Sequence, residues 1–367
     1  MTTRVVIDGS VLEGGGQILR NAIALSALLS KPVTIQNIRA GRSQPGLKNQ
    51  HRTGLELAAN IASAELIGAT NGSSEVYFTP PTCSQSSHPI HHEADSVTAG
   101  ATTLLFQVAL PLLLFGEKRR TLTLKGGTNA IQAPQVDYTR HVFLPMIRRA
   151  FGVSDVTLHI KRRGYYPKGG GELFIEIEPT PGPLRNMTCL ERGNVRSIYG
   201  IAHLAGLPGQ LGRDMVNGAM DRLKKAGYPE VNIDYKREKR EDTVGAGSGI
   251  VLWAELDGGG LLGASAVGKK GVDARKVGEQ AASFLIQQLD AGGCVDEWLQ
   301  DQLIIFMALA EGYSEILCGR GGLTLHTKTA IWVMEQLTDA KFAIEETTDG
   351  RTIIRCKGIG YRVSTHQ

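Results

Sequence analysis

The chain has 367 residues, 42% of them hydrophobic and 21% charged, with a formal net charge of +4. That composition excludes a disordered or low-complexity chain and leaves room for two or three domains with an ordinary core. A charge so near balance permits a phosphate-rich partner without requiring one, because nucleic-acid surfaces concentrate their cations on one face.

The opening residues, MTTRVVIDGS, enter a strand-like pattern with no charged-then-apolar leader, so no secretory signal is expected and the protein is placed inside the cell. Gly14 to Ser30 reads as a helix, since Ile18, Ala22, Leu25 and Leu29 recur at helical spacing on one face. Val33 to Ile38 alternates like a strand. The histidines of SSHPIHH (His88, His91, His92) fall in a surface loop, with no carboxylate or Cys to complete a ligand set. Thr102 to Phe115 is the longest apolar run; it is too short for a bilayer and carries Gln107 and Pro111, which makes it a buried helix. A strand at Thr121 to Leu124, a helix at Tyr138 to Phe151, and strands at Val156 to Ile160 and Glu172 to Glu178 follow. Pro179 to Met187 is a Pro-rich break.

Beyond it, strand, helix (Leu211 to Ala226), two strands (Val231 to Tyr235, Ile250 to Leu256) and helix (Asp273 to Leu289) read as an inserted smaller domain. Trp298 to Ala310 is a further helix, and TIIRC and YRVS are the closing strands. The segments at Gly14, Ala99 and Trp298 share a polar or Gly-rich entry into an apolar helix, which indicates an internally repeated α/β unit. The expected organisation is α/β (α+β): residues 1–186 hold two units of a large domain, 187–290 the insertion, and 291–367 the third unit. Five scattered cysteines (Cys83, Cys189, Cys294, Cys318, Cys356) without a CxxC pair read as reduced thiols.

The densest polar stretch is RAGRSQPGLKNQHR, Arg39 to Arg52. It is either a solvated loop or an anion site, in which the Pro45-Gly46 turn converges Arg39, Arg42, Lys48 and His51 on one phosphate. EGGGQILR puts glycines at a strand-to-helix junction, where free N–H groups attract phosphate, and Glu13 beside them is able to hold a divalent ion. GASAVGKK has Lys270 where a P-loop needs Ser or Thr, and GAGSG precedes a strand, so neither is a nucleotide fingerprint. His326, at a strand-to-helix passage, is by default structural or exposed, although a neutral imidazole is a competent nucleophile near neutral pH.

Together IDGSVLEGGGQILR, IRAGRSQPGLKNQH, RRGYYPKGGGELF, WLQDQL and HTKTAIWVMEQL resemble, in order, the signature blocks of the RNA 3'-terminal phosphate cyclase family, over nearly the whole chain. The resemblance implies a large domain of three βαβαββ-type units with a small inserted α/β domain. It implies closure of an RNA 3'-phosphate into a 2',3'-cyclic ester at the expense of ATP, through an AMP adduct on His326. It further implies Glu13 as the contact for Mg2+ or Mn2+, and Arg20, Arg39, Arg42, Gln50 and His51 around the phosphates. The nucleotide pocket would comprise Gln107, Trp298, Leu299, Gln300, Asp301 and Gln302, with Pro134 and Asp137 beside it, Asp301 orienting His326 and Trp298 stacking on adenine. A related non-catalytic branch acting in ribosomal RNA maturation lacks the histidine, and a carboxyvinyl transferase would share the repeated unit but not these blocks. No RNA sequence preference is expected, since no aromatic-rich platform is visible. Nucleus and cytoplasm both stay open.

Overall fold

The computed structural model describes residues 3–81, 89–116, 118–180 and 182–363; Cys83 and His88 lie outside them. The chain starts with β1 (Val5–Asp8), α1 (Gly16–Leu29), β2 (Val33–Gln36), α2 (Asn49–Ala62), β3 (Glu65–Ile67) and β4 (Val76–Thr79). These strands are ordered β1-β2-β4-β3. The first pair is parallel, as a helical crossover between neighbours requires, and the others are antiparallel. Then come β5 (His91–Asp95), α3 (Thr102–Leu114), β6 (Arg120–Gly126), α4 (Val136–Tyr138), α5 (Leu144–Phe151), β7 (Val156–Gly164) and β8 (Gly171–Ile177). Their order, β5-β6-β8-β7, repeats that of the first sheet with the same parallel and antiparallel senses.

After β9 (Thr188–Cys189) the chain forms β10 (Val195–Ala205), α6 (Gln210–Lys225), β11 (Val231–Arg237), β12 (Thr243–Val244), β13 (Gly247–Leu256), β14 (Leu261–Val267) and α7 (Ala274–Ala291). Four of these strands make a sheet of order β11-β10-β13-β14, while β12 extends the second sheet at β7. Finally α8 (Glu297–Leu309), β15 (Tyr313–Cys318), α9 (Leu325–Leu337), β16 (Lys341–Glu346) and β17 (Thr352–Lys357) complete a sheet of order β9-β15-β17-β16. β9 falls within 187–290, yet it pairs in parallel with β15, so this sheet takes a strand from before β10.

Two apolar cores result. One joins the three similar sheets, and the other, from Ile198 to Leu289, lies between α6, α7 and the β10–β14 sheet. Between them runs a buried polar seam: Arg163 pairs with both oxygens of Asp137 (2.7 and 2.8 Å) and with Glu238 (2.7 Å), and His203 bonds to Tyr165, Asn129 and Gln135. Cys189, Cys294, Cys318 and Cys356 are free thiols, all buried.

Two expectations are corrected. His91 and His92 lie on a strand, not in a loop, because β5 pairs along β6; His92 is buried with Nδ1 2.8 Å from Asn60. Tyr361 to Val363 form no closing strand: the backbone of Ile359, Gly360 and Tyr361 bonds to the carbonyls of Ala308, Ala310 and Leu309, and Tyr361 packs edge-on to Phe115. Among the described residues no helix is long and apolar enough to cross a membrane.

Candidate active site

α1 packs against both α2 and α9. The turn before α1 depends on Gly14, which sits at φ +56°. At Gly16 a Cβ would lie 2.8 Å from Arg20 Nη1 and 2.9 Å from His51 Nε2, so only glycine leaves the gap between those groups open. α2 begins at Asn49, placing Gln50 and His51 in its first turn, where His51 Nδ1 accepts from the Lys48 N–H (3.4 Å). α9 begins at Leu325, capped by Thr324 Oγ1, which accepts from the Thr327 N–H (3.0 Å).

One bond ties this helix to the opposite end of the chain: the Glu13 N–H donates to Thr329 Oγ1 (3.1 Å), whose hydroxyl donates to the Leu325 carbonyl (2.7 Å). His326 and Thr329 are three apart and share a helix face, so the same bond fixes His326 beside the Glu13 turn. Thr329 was missed by the sequence reading; its only signal is that spacing in HTKT.

Arg42 Nη2 reaches the Glu13 carbonyl (2.7 Å) and Oε1 (2.5 Å). Arg39 is more occupied than expected, donating to the carbonyls of Gln44 (2.7 Å) and Gly46 (2.9 Å) and so bracing its own loop. Burial, then Arg20, Arg39, Lys48 and Arg42, push the His51 imidazole down to about 3. His51 is therefore neutral; with Nδ1 accepting, its proton sits on Nε2, the atom facing the Gly16 gap. Partial burial also lowers the pKa of His326; Glu13 opposes it, and Arg20 and Arg42 add to it. Its imidazole thus keeps a free lone pair at neutral pH. Four cations thus lie around one neutral N–H donor and one neutral imidazole, an arrangement whose charge and donors suit a highly charged phosphate group.

The α8 residues divide. Gln300 Oε1 accepts from the Thr324 N–H (3.1 Å) and the Thr327 hydroxyl (2.7 Å), so it holds the first turn of α9. Asp301, expected to orient His326, has its carboxyl pushed up to about 7, chiefly by burial, with Arg20 pulling it down and Asp296 raising it. Asp301, Gln302 and Gln107 line one cavity with Gln17, Arg20 and Asn21; at about 20 Å³ it takes a water-sized guest and not a base. Trp298 stands edge-on to Tyr138 (5.4 Å), and Leu299 is wholly buried. Gln50 Oε1 accepts from the Ala101 N–H (3.0 Å), and the Pro134 carbonyl from Thr103 (2.8 Å). Asp137 belongs to the Arg163 seam.

For a metal, Glu13 offers one atom: Oε2 is buried without a hydrogen-bond partner, while Oε1 is engaged by Arg42. Among the described residues no group of three or more His, Cys, Asp or Glu is arranged to hold an ion. The single free carboxylate oxygen fits a hard cation that takes its other ligands from phosphate and water.

A family model described as RNA 3'-terminal phosphate cyclase matches residues 11–344. The RNA 3'-terminal phosphate cyclase of Pyrobaculum neutrophilum is 41% identical over 358 residues, 97% of this chain and 99% of its own. That of Drosophila melanogaster is 39% identical over 358 residues, 97% and 96% respectively, and that of Staphylothermus marinus 40% over 359 residues, 97% and 98%.

Proposed function

The chain belongs to the RNA 3'-terminal phosphate cyclase family, and we propose that it converts an RNA 3'-phosphate to a 2',3'-cyclic phosphodiester with ATP, using His326 as nucleophile. A ring nitrogen of His326 attacks the α-phosphorus of ATP; a P–N bond forms, the bond to the bridging oxygen breaks, and pyrophosphate leaves. An oxygen of the RNA 3'-phosphate then attacks the same phosphorus, breaking the P–N bond and giving a mixed anhydride of RNA phosphate and AMP. The vicinal 2'-OH attacks the RNA phosphorus, loses its proton to solvent, and expels AMP. Activation is needed because the monoester dianion repels a nucleophile and lacks a leaving group.

Arg20, Arg39, Arg42 and Lys48, with the Nε2–H of His51, neutralise the phosphate charge that develops in these transfers. Gln300 and Thr329 are positioning residues, holding the first turn of α9 and its register against Glu13. Gln107, Asp301 and Gln302, with Trp298 nearby on the same helix as the last two, would receive the nucleotide, for which the cavity that Gln107, Asp301 and Gln302 line must widen. Mg2+ or Mn2+ at Glu13 Oε2 would supply further charge neutralisation to the triphosphate.

The observation that carries this reading is the bond from the Glu13 N–H to Thr329, which supports a placement of His326 beside the Glu13 turn, where burial, with Arg20 and Arg42, lowers its pKa. With α-labelled ATP and magnesium but no RNA, the protein is expected to retain acid-labile labelled AMP, and His326→Ala to retain none. Folded wild-type protein that takes up no label overturns the proposal.

A further inference from the structure

The GYYPKGGG turn and the cationic stretches of the inserted sheet have no part in the chemistry above. β10 and β11 run parallel, and β13 and β14 alternate against them, so the ends of β10, β11 and β14 and the start of β13 share one edge. That edge abuts the GYYPKGGG turn: a Cβ on Gly247 would be 2.2 Å from the Tyr165 ring, and one on Gly245 3.4 Å from the Lys168 stem. The turn in turn touches the phosphate site. A Cβ on Gly169 would lie 2.5 Å from the Thr98 carbonyl, and one on Gly100 3.3 Å from Gln50 Cβ. Packing therefore runs without a break from Gln50 through the turn to the edge of the inserted sheet.

Along it Tyr166 is 78% exposed, although its neighbour Tyr165 is buried. Lys168, Arg237, Arg240, Lys269 and Lys270 are exposed on the same edge. Lys236 and Lys239 are neutralised by Glu238 and Glu241, but these five form no ion pair among the described residues. An exposed ring beside unpaired cations is the chemistry of a single-stranded nucleic-acid track: the ring stacks on any base, and the cations follow the backbone. The buried pairing of Arg163 with Asp137 and Glu238 fixes the inserted sheet to the second sheet, so the track is preformed.

We infer that the Tyr166–Lys168 turn and the adjoining edge of the inserted sheet bind the single-stranded RNA 5' to the reacting phosphate, without sequence preference. This rests on the reading proposed for the site and extends it.

The test compares wild type with Tyr166→Ala, Lys168→Ala and the double variant Lys269→Ala/Lys270→Ala. Two substrates are used, an oligoribonucleotide of about ten nucleotides and a dinucleotide, both ending in a 3'-phosphate. KM for the oligonucleotide is expected to rise about tenfold in Tyr166→Ala, with the dinucleotide and AMP uptake from ATP unchanged. Each cation removed should flatten the log–log salt dependence of oligonucleotide binding, read by fluorescence anisotropy, by about 0.7. Lys168→Arg should restore it. Unchanged oligonucleotide binding in all variants, or equal losses for both substrates, overturns the inference. A wild type that takes up no AMP yet binds the oligonucleotide through these residues refutes only the proposed chemistry.

Discussion

Replacing Thr329 by Val removes one hydroxyl at nearly constant volume from a wholly buried position. The Glu13 N–H then loses its acceptor, and the hydroxyl's own donation to Leu325 disappears with it. A neutral hydrogen bond contributes about 1 kcal/mol net, and a part-buried donor left unsatisfied costs about as much again, for a total near 1–2 kcal/mol. A loss of that size would lower the melting temperature of a chain this long by only a few degrees, roughly 2–4 °C. If the bond holds Glu13 beside His326, about 1.4 kcal/mol of it reappears in the barrier, and AMP transfer to the protein slows about tenfold. The assay is the single-turnover rate of label uptake at saturating ATP, run beside thermal unfolding. Thr329→Ser, which keeps the hydroxyl, should recover most of the rate. A destabilised Thr329→Val with a wild-type rate would show that the bond serves the fold alone and does not set the register of His326 against Glu13.

Gly16→Ala is expected to cut AMP transfer at least tenfold with little change in stability, because its methyl displaces Arg20 and His51 from the gap; full activity on steady-state assay would count against that gap as the phosphate seat. Arg163→Met should cost about 3–5 kcal/mol in chemical denaturation, since it strands Asp137 as a buried charge and leaves Glu238 with Lys236 alone, and a loss under about 1 kcal/mol would contradict the seam's role. His203 titrates near 3 in the fold, held down by burial and then Arg163, against about 6.5 when unfolded. Between those values only the unfolded chain takes up the proton, so stability falls as pH drops below about 6.5. From pH 7 to 5 the wild type should lose about 2 kcal/mol more than His203→Gln, and equal losses in both would refute the assignment.

What the sequence made legible was the part governed by local periodicity. α1, α3, α7 and α8 fall within a few residues of their apolar stripes, and β8 follows its alternation. β5 was not legible, because HHEAD has no strand character of its own and becomes a strand by pairing with β6. α2 was hidden in a polar run that starts after Lys48, a residue with no usual capping signature. At the site, residue types pointed to phosphate chemistry, but side-chain roles depended on partners far away in sequence. Nothing near Asp137 announces Arg163 and Glu238, and nothing near Gln300 announces the first turn of α9. Glycine 16 looked like one of three equivalent glycines until the groups on either side of it were placed.

Transfer of AMP from ATP to the RNA end by the imidazole of His326 can be followed by isolating the labelled protein, removing ATP, and adding RNA with a 3'-phosphate in a single-turnover chase. Label is expected to leave the protein as AMP while an equal amount of 2',3'-cyclic end appears, and peptide mapping of the unchased protein to find the adduct on His326. Label that stays on the protein while the RNA end is unchanged, or an adduct on another residue, would contradict it.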